Sequence, residues 1–486
     1  MDFPILLDRG SAVPLQRQLY LAIRTAILSG RLAPGRRIPS TRALAGTLEI
    51  SRTTAALAFE RLAGEGYLEP SSGSGTYVCS SLPDVREAEP AIKGKDTTGA
   101  GLRLSRWSSQ VAALADLPRA SGPSVYDFSP GCPALEAVPM ALWLRLVARH
   151  ARVGEAAVLD YGSDPQGHGP LREAIAAYLR RSRAVQCGAD QVVVVSGTQQ
   201  AIQLALRVLV EPGETVAMED PGYLAARKAF QAHGARILPL PAEDRGLDLG
   251  PLERTGADRC RMVYVTPSHQ FPTGWVMSLP RRLELLEWCR RHRTAVLEDD
   301  YDSEFRFRGR PLPAMQGLDA AGVVLYAGTF SKVLFPALRL GYLVVPPALA
   351  RTFTLAQWVM SREPSALLQR ALADFIQEGH LERHIRRMRS LYAERREALV
   401  ASLRRHFQGR LEILGDECGM HLMARFATDL SDGEVVRRAT AAGVVLPPAA
   451  RLHLTPGPAG RFLFGYAGMS PARIREGVRR LAAIGL

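Results

Sequence analysis

The chain lacks the features of a membrane-spanning, secreted or zinc-binding protein. Its longest apolar runs, such as residues 192–195, are far too short to cross a bilayer. The first ten residues, MDFPILLDRG, have no charged segment followed by an apolar core, so we expect no secretory signal. The six cysteines are scattered without a CxxC pair, which predicts thiols in a reducing cytoplasm and no metal site. We therefore expect a cytoplasmic protein that contacts no membrane.

Lysine is also scarce. Only Lys93, Lys95, Lys228 and Lys332 occur among 61 basic residues, so chemistry that requires an amine has few possible positions. The formal net charge of +13 is consistent with a polyanionic partner, although it does not identify one.

The length of 486 residues predicts two or more domains. Residues 1–80 form a compact patterned segment, and residues 81–124 are rich in Pro, Glu, Ala, Ser and Gly, which indicates a linker with one short helix near Ala112 to Ala115. In residues 125–486, short apolar runs alternate with amphipathic segments. That alternation predicts an α/β domain built on a mostly parallel sheet.

The first 80 residues have the pattern of a helix-turn-helix. Ser40 is a suitable N-cap for a second helix, and Ser51 caps a third helix after a very short turn. Two helices joined in this way place the first turn of the later helix, here Arg52 and Thr53, against base edges. The alternative is a three-helix module for protein interaction or dimerisation.

A hairpin with a Gly/Ser tip follows the third helix and would serve as a wing. This order, with Arg37-Ile-Pro-Ser-Thr-Arg42 and Gly73-Ser-Gly-Thr-Tyr77, resembles the winged-helix domain of GntR-family regulators. The resemblance covers nearly all of residues 1–80. It implies an α+β DNA-binding domain that contacts phosphates or bases of double-stranded operator DNA through Ser40, Arg42, Arg52 and Thr53, with the wing at Gly75.

The rest of the chain offers the groups that pyridoxal phosphate requires, beginning with a lysine for the imine. Lys332 follows a predicted strand at residues 323–326, whereas Lys93 and Lys95 lie in the linker and Lys228 in a predicted surface helix. Arg339 is close enough along the chain to reach the same phosphate, and its guanidinium suits phosphate oxygens. The alternative is a surface lysine and arginine.

Asp299 and Tyr301 follow a buried strand, and their spacing of two places both side chains on the same side of an extended chain. The aspartate can keep a pyridine nitrogen protonated, and the tyrosine can donate to the phenolic oxygen. A polar strand end that binds nothing, or a metal ion, is the alternative.

Two further segments suit a cofactor. The strand at residues 192–195 leads into Ser196-Gly-Thr-Gln-Gln200, where small residues at a helix start leave N–H groups for a phosphate. Tyr223 follows the next strand and offers a ring to stack on the cofactor, although taken alone it favours a packing role.

Taken in order, these segments resemble fold-type I aminotransferases, specifically the effector domain of MocR-type regulators within the GntR family. The resemblance covers about residues 125–486 and includes residues 126–131, 165–172, 196–200 and 266–274. It implies an α/β transferase fold of type I with a small C-terminal α+β subdomain. It also implies phosphate contacts, which come from Gly197, Thr198, Gln199, Thr329 and Arg339.

The same resemblance implies a homodimer, which we expect to be head-to-tail, because Tyr161 would reach the phosphate of the other subunit. Arg461 resembles the arginine that binds a substrate carboxylate; unaided, it would be a charge at a strand edge. The sequence departs from ordinary aminotransferases at Phe271, where they have an asparagine. His269 or Gln270 could substitute for it, and we assign His269 to effector binding.

These features predict a pyridoxal-phosphate-dependent transcription regulator that senses a small amino compound, or the cofactor itself, through imine exchange at Lys332. The alternative is an active aminotransferase with an appended DNA-binding domain, and weak transamination is compatible with either. The effector, the operator and the direction of control stay open.

Overall fold

The computed structural model describes residues 5–71, 75–81, 103–114, 126–152, 164–243, 246–255, 260–307 and 313–486. The chain forms two compact units, residues 1–102 and 103–486, called here the head and the body. Tyr161, predicted to reach a partner's phosphate, lies outside the described residues, as do residues 72–74 at the predicted wing tip.

The head contains three helices and a small sheet with the strand order β1-β3-β2. These elements are α1 (Leu15–Leu28), β1 (Arg37–Ile38), α2 (Thr41–Leu48), α3 (Arg52–Gly64), β2 (Leu68–Ser71) and β3 (Gly75–Val78). Its core forms where the apolar side of α1, including Leu19 and Ile23, packs with Leu62 of α3. The winged helix-turn-helix predicted for residues 1–80 is therefore present in outline.

Two serines determine where α2 and α3 begin. Ser40 Oγ accepts a hydrogen bond from Ala43 N at 3.2 Å, and Ser51 Oγ accepts one from Thr54 N at 3.0 Å. Glu49 ends α2 in the left-handed region, with φ of 51°, which reverses the chain within a short turn. Both predicted caps are confirmed.

The body is built on an eight-stranded sheet with the order β5-β12-β11-β10-β9-β6-β7-β8. Its strands are β5 (Val192–Val195), β6 (Thr215–Asp220), β7 (Arg236–Glu243), β8 (Gly246–Leu247), β9 (Cys260–Val265), β10 (Ala295–Asp300), β11 (Val324–Thr329) and β12 (Gly341–Val344). β6, β7, β9, β10 and β11 pair in parallel, and β12 runs antiparallel between β5 and β11. The central strands are buried on both faces, as a sheet covered by helices requires.

Helices connect these strands and cover the sheet. They are α5 (Met140–Arg152), α6 (Gly169–Arg183), α7 (Thr198–Leu209), α8 (Leu224–His233), α9 (Gly250–Thr255), α10 (Leu279–His292), α11 (Ala350–Ser361) and α12 (Ala366–Gln377). Because β6, β9, β10 and β11 are parallel neighbours, the loops after them converge on one edge of the sheet, where ligands bind in α/β folds.

A smaller C-terminal part follows, as predicted. A long helix, α13 (His380–His406), leads into an antiparallel sheet of β13 (Leu411–Leu414), β14 (His421–Phe426) and β16 (Arg461–Gly465). α14 (Asp432–Ala441), β15 (Val444–Val445) and α15 (Pro471–Ala482) complete this part, and β15 pairs with β4 (Tyr126–Asp127).

The predicted linker contains a helix, α4 (Arg106–Ala112), which begins and ends earlier than expected. Ser105 caps it by accepting a hydrogen bond from Ser108 N at 3.2 Å. This segment belongs to the body, and Lys228 Nζ donates to Leu114 O at 3.2 Å. None of the helices in the described ranges combines the length and apolar composition needed to cross a bilayer.

Candidate cofactor pocket and DNA-binding surface

The residues predicted to contact DNA lie on the surface of the head. Ser40, Arg42, Arg52, Thr53 and Gly75 are all exposed. Arg52 and Thr53 form the first turn of α3, where side chains of a recognition helix reach base edges. Gly75 has a φ of 122°, and a Cβ there would lie 2.8 Å from Arg37 Nε, so the start of β3 requires glycine beside that arginine.

Lys332 lies in the body, in the turn that follows β11. Its side chain is half-buried, and Nζ donates to Gly131 O at 2.8 Å. Burial lowers the pKa of this amine below its ordinary value, which increases the neutral, nucleophilic fraction. Gly131 has a φ of 94°, and a Cβ there would lie 2.7 Å from Lys332 Nζ. The positive φ and the close approach of the amine both favour glycine at this position.

The predicted phosphate residues meet at the start of α7. Gly197, with φ of 120°, is the N-cap residue, and because it has no side chain the N-terminus of the helix is left uncapped. A Cβ on Gly197 would lie 3.6 Å from Nη1 of Arg339, whose own φ is 51°. Among the residues that the structure describes, Thr198 Oγ1 and Gln199 Oε1 are buried without a hydrogen-bond partner. An open helix N-terminus beside a guanidinium suits an anion.

Asp299 is buried near the end of β10, and one of its oxygens is engaged. Its Oδ2 accepts a hydrogen bond from Tyr264 Oη at 2.6 Å, whereas Oδ1 is buried without a partner in the described residues. Burial raises the pKa of this carboxyl to about 7. A cationic N–H donor placed at Oδ1 would therefore be strongly stabilised, as a pyridinium nitrogen would be.

Tyr301 lines the same cavity, but its hydroxyl hydrogen already has a partner. Tyr301 Oη donates to His269 O at 2.9 Å and lies 3.0 Å from His269 Nδ1. To donate to a cofactor oxygen, the Tyr301 hydroxyl would have to give up its hydrogen bond to His269 O. His269 Nδ1 lies 2.9 Å from Asp302 Oδ1, and its Nε2 is buried without a partner among the described residues.

The acidic side chains at the end of β10 bind different partners and do not form a common cation site. Glu298 accepts from the backbone N–H groups of Met315 and Gln316, each at 2.9 Å. Asp300 pairs with Arg183 at 2.8 Å. Donor atoms of His269, Asp302 and His421 lie within 4.8 Å of one another, yet His421 Nε2 is 3.2 Å from Pro272 O and His269 is held by Asp302. We assign these residues to hydrogen bonding, not to a cation.

One cavity of about 220 Å³ connects most of these groups. Its predicted members are Thr198, Tyr223, Asp299, Tyr301, Thr329 and Lys332. Tyr223 packs edge-on against Phe271, with ring centroids 5.8 Å apart. His269, Gln270 and Arg461 are not among the lining residues that the structure describes. Gln270 is used within its own loop, where Nε2 donates to Pro221 O at 2.8 Å.

Several lining residues were not assigned a role from the sequence. They are Pro130, Gly131, Tyr264, Thr266, Asp302, Met420 and His421. Tyr264 and Thr266 lie at the carboxyl end of β9, directly beside β10, so their proximity to Asp299 could have been expected from the parallel order alone. Met420 and His421 belong to the small C-terminal sheet, and no local pattern indicates them.

Arg461 lies on the face of β16 that also carries Leu463. Leu463 belongs to an apolar cluster with Met423 and Leu452, against which the cavity residue Phe271 packs. Because residues two apart on a strand share a face, Arg461 is about 7 Å further along the strand than Leu463. Its Nε is buried without a partner among the described residues.

The residues present fit pyridoxal phosphate. Two of the cavity's lining residues, Asp299 and Thr198, carry buried oxygens without a partner among the described residues, and a half-buried amine, that of Lys332, also lines the cavity. A group with a cationic ring nitrogen, an aldehyde and a phosphate would engage all three.

Comparison with known proteins agrees with this geometry. Residues 15–78 match the bacterial regulatory proteins of the gntR family, and residues 145–481 match aminotransferase class I and II. The chain belongs to the GntR family, in its MocR-type subgroup. Pyridoxal phosphate is the cofactor of the aminotransferase fold that forms the body of this regulator.

Relatives are similar to nearly the whole chain, whereas a solved aminotransferase structure is similar to 78% of it. The chain is 44% identical to the probable rhizopine catabolism regulatory protein MocR of Rhizobium meliloti, over 98% of this chain and 95% of that protein. It is 33% identical to the transcriptional regulator TauR of Rhodobacter capsulatus, over 97% of each chain. The structure of LysN, an α-aminoadipate aminotransferase of Thermus thermophilus complexed with N-(5'-phosphopyridoxyl)-L-leucine, is 28% identical, with a TM-score of 0.70 over 78% of this chain and 96% of that one.

Proposed function

We propose that this GntR-family regulator holds pyridoxal phosphate on Lys332 and changes its affinity for operator DNA when an amino compound exchanges onto the cofactor. The observation that carries the proposal is the convergence of Lys332, Asp299 and Thr198 on one cavity, where Asp299 Oδ1 and Thr198 Oγ1 are buried without a partner among the described residues.

Each of these residues has a defined task in the proposed site. Pyridoxal phosphate, when bound, supplies an aldehyde that condenses reversibly with primary amines. Lys332 provides the resident amine, and its lowered pKa favours the neutral form. Asp299 Oδ1 accepts the ring N–H, and Tyr223 offers an aromatic face. Gly197, Thr198, Gln199, Thr329 and Arg339 bind the phosphate.

The head supplies the DNA-binding part of the proposal. Arg42 and Arg52 are exposed cations near the N-termini of α2 and α3, where they suit phosphates or base edges. The Ser40 hydroxyl accepts a hydrogen bond from Ala43 N through its oxygen, so its hydrogen can still be donated to a phosphate. Each head would read one half-site. A DNA partner places the protein in the cytoplasm.

A homodimer is also proposed, with the two bodies sharing their sites. The surface of α11 carries four exposed apolar side chains, on Leu355 (53% exposed), Trp358 (40%), Val359 (76%) and Met360 (40%), more than a helix in contact only with water usually presents. α11 is tied to the phosphate helix α7, since Gln200 Nε2 donates to Ser361 Oγ at 2.5 Å. A partner covering α11 would therefore lie close to the phosphate site, where Tyr161 of the other subunit is proposed to reach.

Absorbance spectroscopy of the purified protein with added pyridoxal phosphate tests the proposal. The wild-type protein should show an imine band that shifts on addition of a suitable amine, and Lys332→Ala should lack that band. Lys228→Ala is the matched control, because Lys228 lies on the surface helix α8 and should leave the band intact. An imine band that persists in Lys332→Ala and disappears in Lys228→Ala would contradict the proposal.

A further inference from the structure

A second cavity lies in the body, apart from the one that contains Lys332. Its volume is about 330 Å³, within the range of about 300–1,000 Å³ that is typical of small-molecule sites. Its walls are the last turns of α6, the loop that follows β10 and the first turns of α13. No described residue lines both cavities, so a ligand here would be distinct from the cofactor and from an amine that exchanges onto it.

Four arginines line this second cavity, and they come from all three of its walls. Arg183 ends α6, Arg306 lies in the loop after β10, and Arg386 and Arg389 lie about one turn apart on α13. We call this the arginine cavity. Positive charge that converges on a concave site attracts anions.

The charge of Arg183 is already compensated. Arg183 is 6% exposed, its Nε donates to Asp300 Oδ2 at 2.8 Å, and its Nη2 donates to Ser268 Oγ at 2.5 Å. We therefore assign Arg183 to holding α6 against the end of β10, not to ligand binding.

The other three arginines keep most of their charge. Arg306 Nε is buried without an acceptor among the described residues, and Nη2 is 4.0 Å from the exposed Glu417. Arg389 donates through Nε and Nη2 to Glu304 O, at 3.1 and 2.9 Å, and a neutral carbonyl does not compensate a guanidinium. Arg386 is exposed and forms no ion pair in the described part of the chain. These three guanidinium groups are available to an anion.

Two carboxyl groups also line the arginine cavity, and they do not cancel these charges. Glu382 Oε1 pairs at 2.9 Å with Arg181, which is not a lining residue, while Oε2 is buried without a partner among the described residues. Glu304 accepts a hydrogen bond from Tyr178 Oη at 3.0 Å, and burial raises its pKa to about 7, so a neutral form is accessible near neutral pH. Positive charge therefore exceeds negative charge in this cavity.

We propose that the arginine cavity is a second ligand site, which binds a small anion of two charges through Arg306, Arg386 and Arg389. A phosphate group and a dicarboxylate share the required chemistry, because guanidinium groups donate paired hydrogen bonds to the oxygens of both. The proposal does not depend on imine exchange at Lys332.

Isothermal titration calorimetry of the full-length protein saturated with pyridoxal phosphate tests this site, with inorganic phosphate and succinate as separate probes. Because the cofactor then fills the phosphate position proposed at the start of α7, a further anion has to bind elsewhere. The wild-type protein should bind at least one probe saturably, at one site per chain. Tighter binding of phosphate would identify a phosphate-bearing ligand, and tighter binding of succinate a dicarboxylate.

The variant Arg386→Gln localises the anion, and Arg405→Gln is its matched control. Both arginines are exposed on α13 without an ion pair in the described ranges, but Arg405 lies about 28 Å further along the helix axis. Arg386→Gln should weaken binding of the favoured probe about tenfold, because it removes a charge-assisted hydrogen bond, and Arg306→Gln should weaken it at least as much. Arg405→Gln should leave the Kd unchanged.

Three results would overturn the proposal: no saturable binding of either probe by the wild-type protein, an unchanged Kd in Arg386→Gln, or equal losses in Arg386→Gln and Arg405→Gln. The last result would mean that the anion responds only to the net charge of the protein. None of them bears on amine exchange at Lys332, so the proposed function is tested separately.

Discussion

The helices that point at the two proposed ligands begin in different ways. In the head, α2 and α3 begin at Ser40 and Ser51, whose hydroxyl oxygens accept backbone N–H bonds and close the helix ends. In the body, α7 begins after Gly197 without any capping bond from a side chain, and Thr198 Oγ1 and Gln199 Oε1 beside it are buried without partners in the described residues.

The difference follows from the size and location of the ligand. DNA is larger than the head, so contacts come from exposed side chains in water, and the helix ends can be stabilised locally. A small phosphate is enclosed, so backbone N–H groups and desolvated side chains bind it, and a serine cap would compete with it. We therefore expect the head to bind DNA through exposed charges that salt screens, and the body to bind the cofactor through buried polar groups.

The largest expected effect concerns a buried carboxyl of the body. Burial raises the pKa of Glu219, which holds the cavity residue Thr266, from 4.5 to about 7. The folded protein then retains a proton that the unfolded chain releases, so stability falls as pH rises from about 4.5 to 7, by about 3 kcal/mol.

Urea unfolding across this pH range checks that effect. Glu219→Gln should make the decline about 3 kcal/mol smaller, and the part contributed by Glu298, Asp299 and Glu304, whose pKa burial also raises to about 7, should remain. Glu253→Gln, an exposed residue of α9, should leave the full decline. A wild-type protein and a Glu219→Gln variant with parallel pH profiles would show that the carboxyl is not desolvated.

The next effect concerns the cation at the open helix end. Arg339→Ala should weaken pyridoxal phosphate binding about 10- to 100-fold, since a hydrogen bond to a charged group contributes about 1.5–3 kcal/mol. Equilibrium titration of the imine band measures this. Arg207→Ala, an exposed arginine in the last turn of α7, is the control and should bind the cofactor normally. Equal affinities for the two variants would remove Arg339 from the phosphate site.

A smaller effect is expected from the caps of the head. Ser51→Ala should destabilise the head by about 1 kcal/mol, because it leaves the N–H of Thr54 without its acceptor. Ser51→Asp keeps a capping oxygen and should restore the stability. Thermal unfolding followed by circular dichroism compares the three proteins; no recovery in Ser51→Asp would speak against a capping role.

The smallest effect concerns a single exposed charge. Arg52→Ala should lower the slope of log affinity against log salt by about 1 if Arg52 contacts a phosphate. Arg61 lies on the same helix but pairs with Glu65 at 2.9 Å, so Arg61→Ala should leave the slope unchanged. Fluorescence anisotropy with operator DNA at several salt concentrations measures both slopes. The cofactor band should respond to salt far less, because its contacts are buried.

Sequence reasoning was most successful where chemistry and local pattern coincide. The caps Ser40 and Ser51 depend on one helical turn each, and the placement of Asp299 and Tyr301 together follows from strand period two. Lys332 could be selected because the chain has so few lysines.

Features that depend on distant pairing were out of reach. His421 is on β14, nearly 90 residues after Lys332, and it enters the cavity only because the small sheet packs against the large one. The hydrogen bond between His269 and Asp302 joins two loops, and neither loop predicts the other.

The most direct test of the account measures operator affinity of the full-length protein with pyridoxal phosphate, with and without the amine that shifts its imine band. The account predicts that this amine changes the Kd for operator DNA in the wild-type protein and in Lys228→Ala, and has no effect in Lys332→Ala. An equal change in Lys332→Ala, or no change in the wild-type protein despite a shifted band, would contradict the claim that chemistry at Lys332 controls DNA binding.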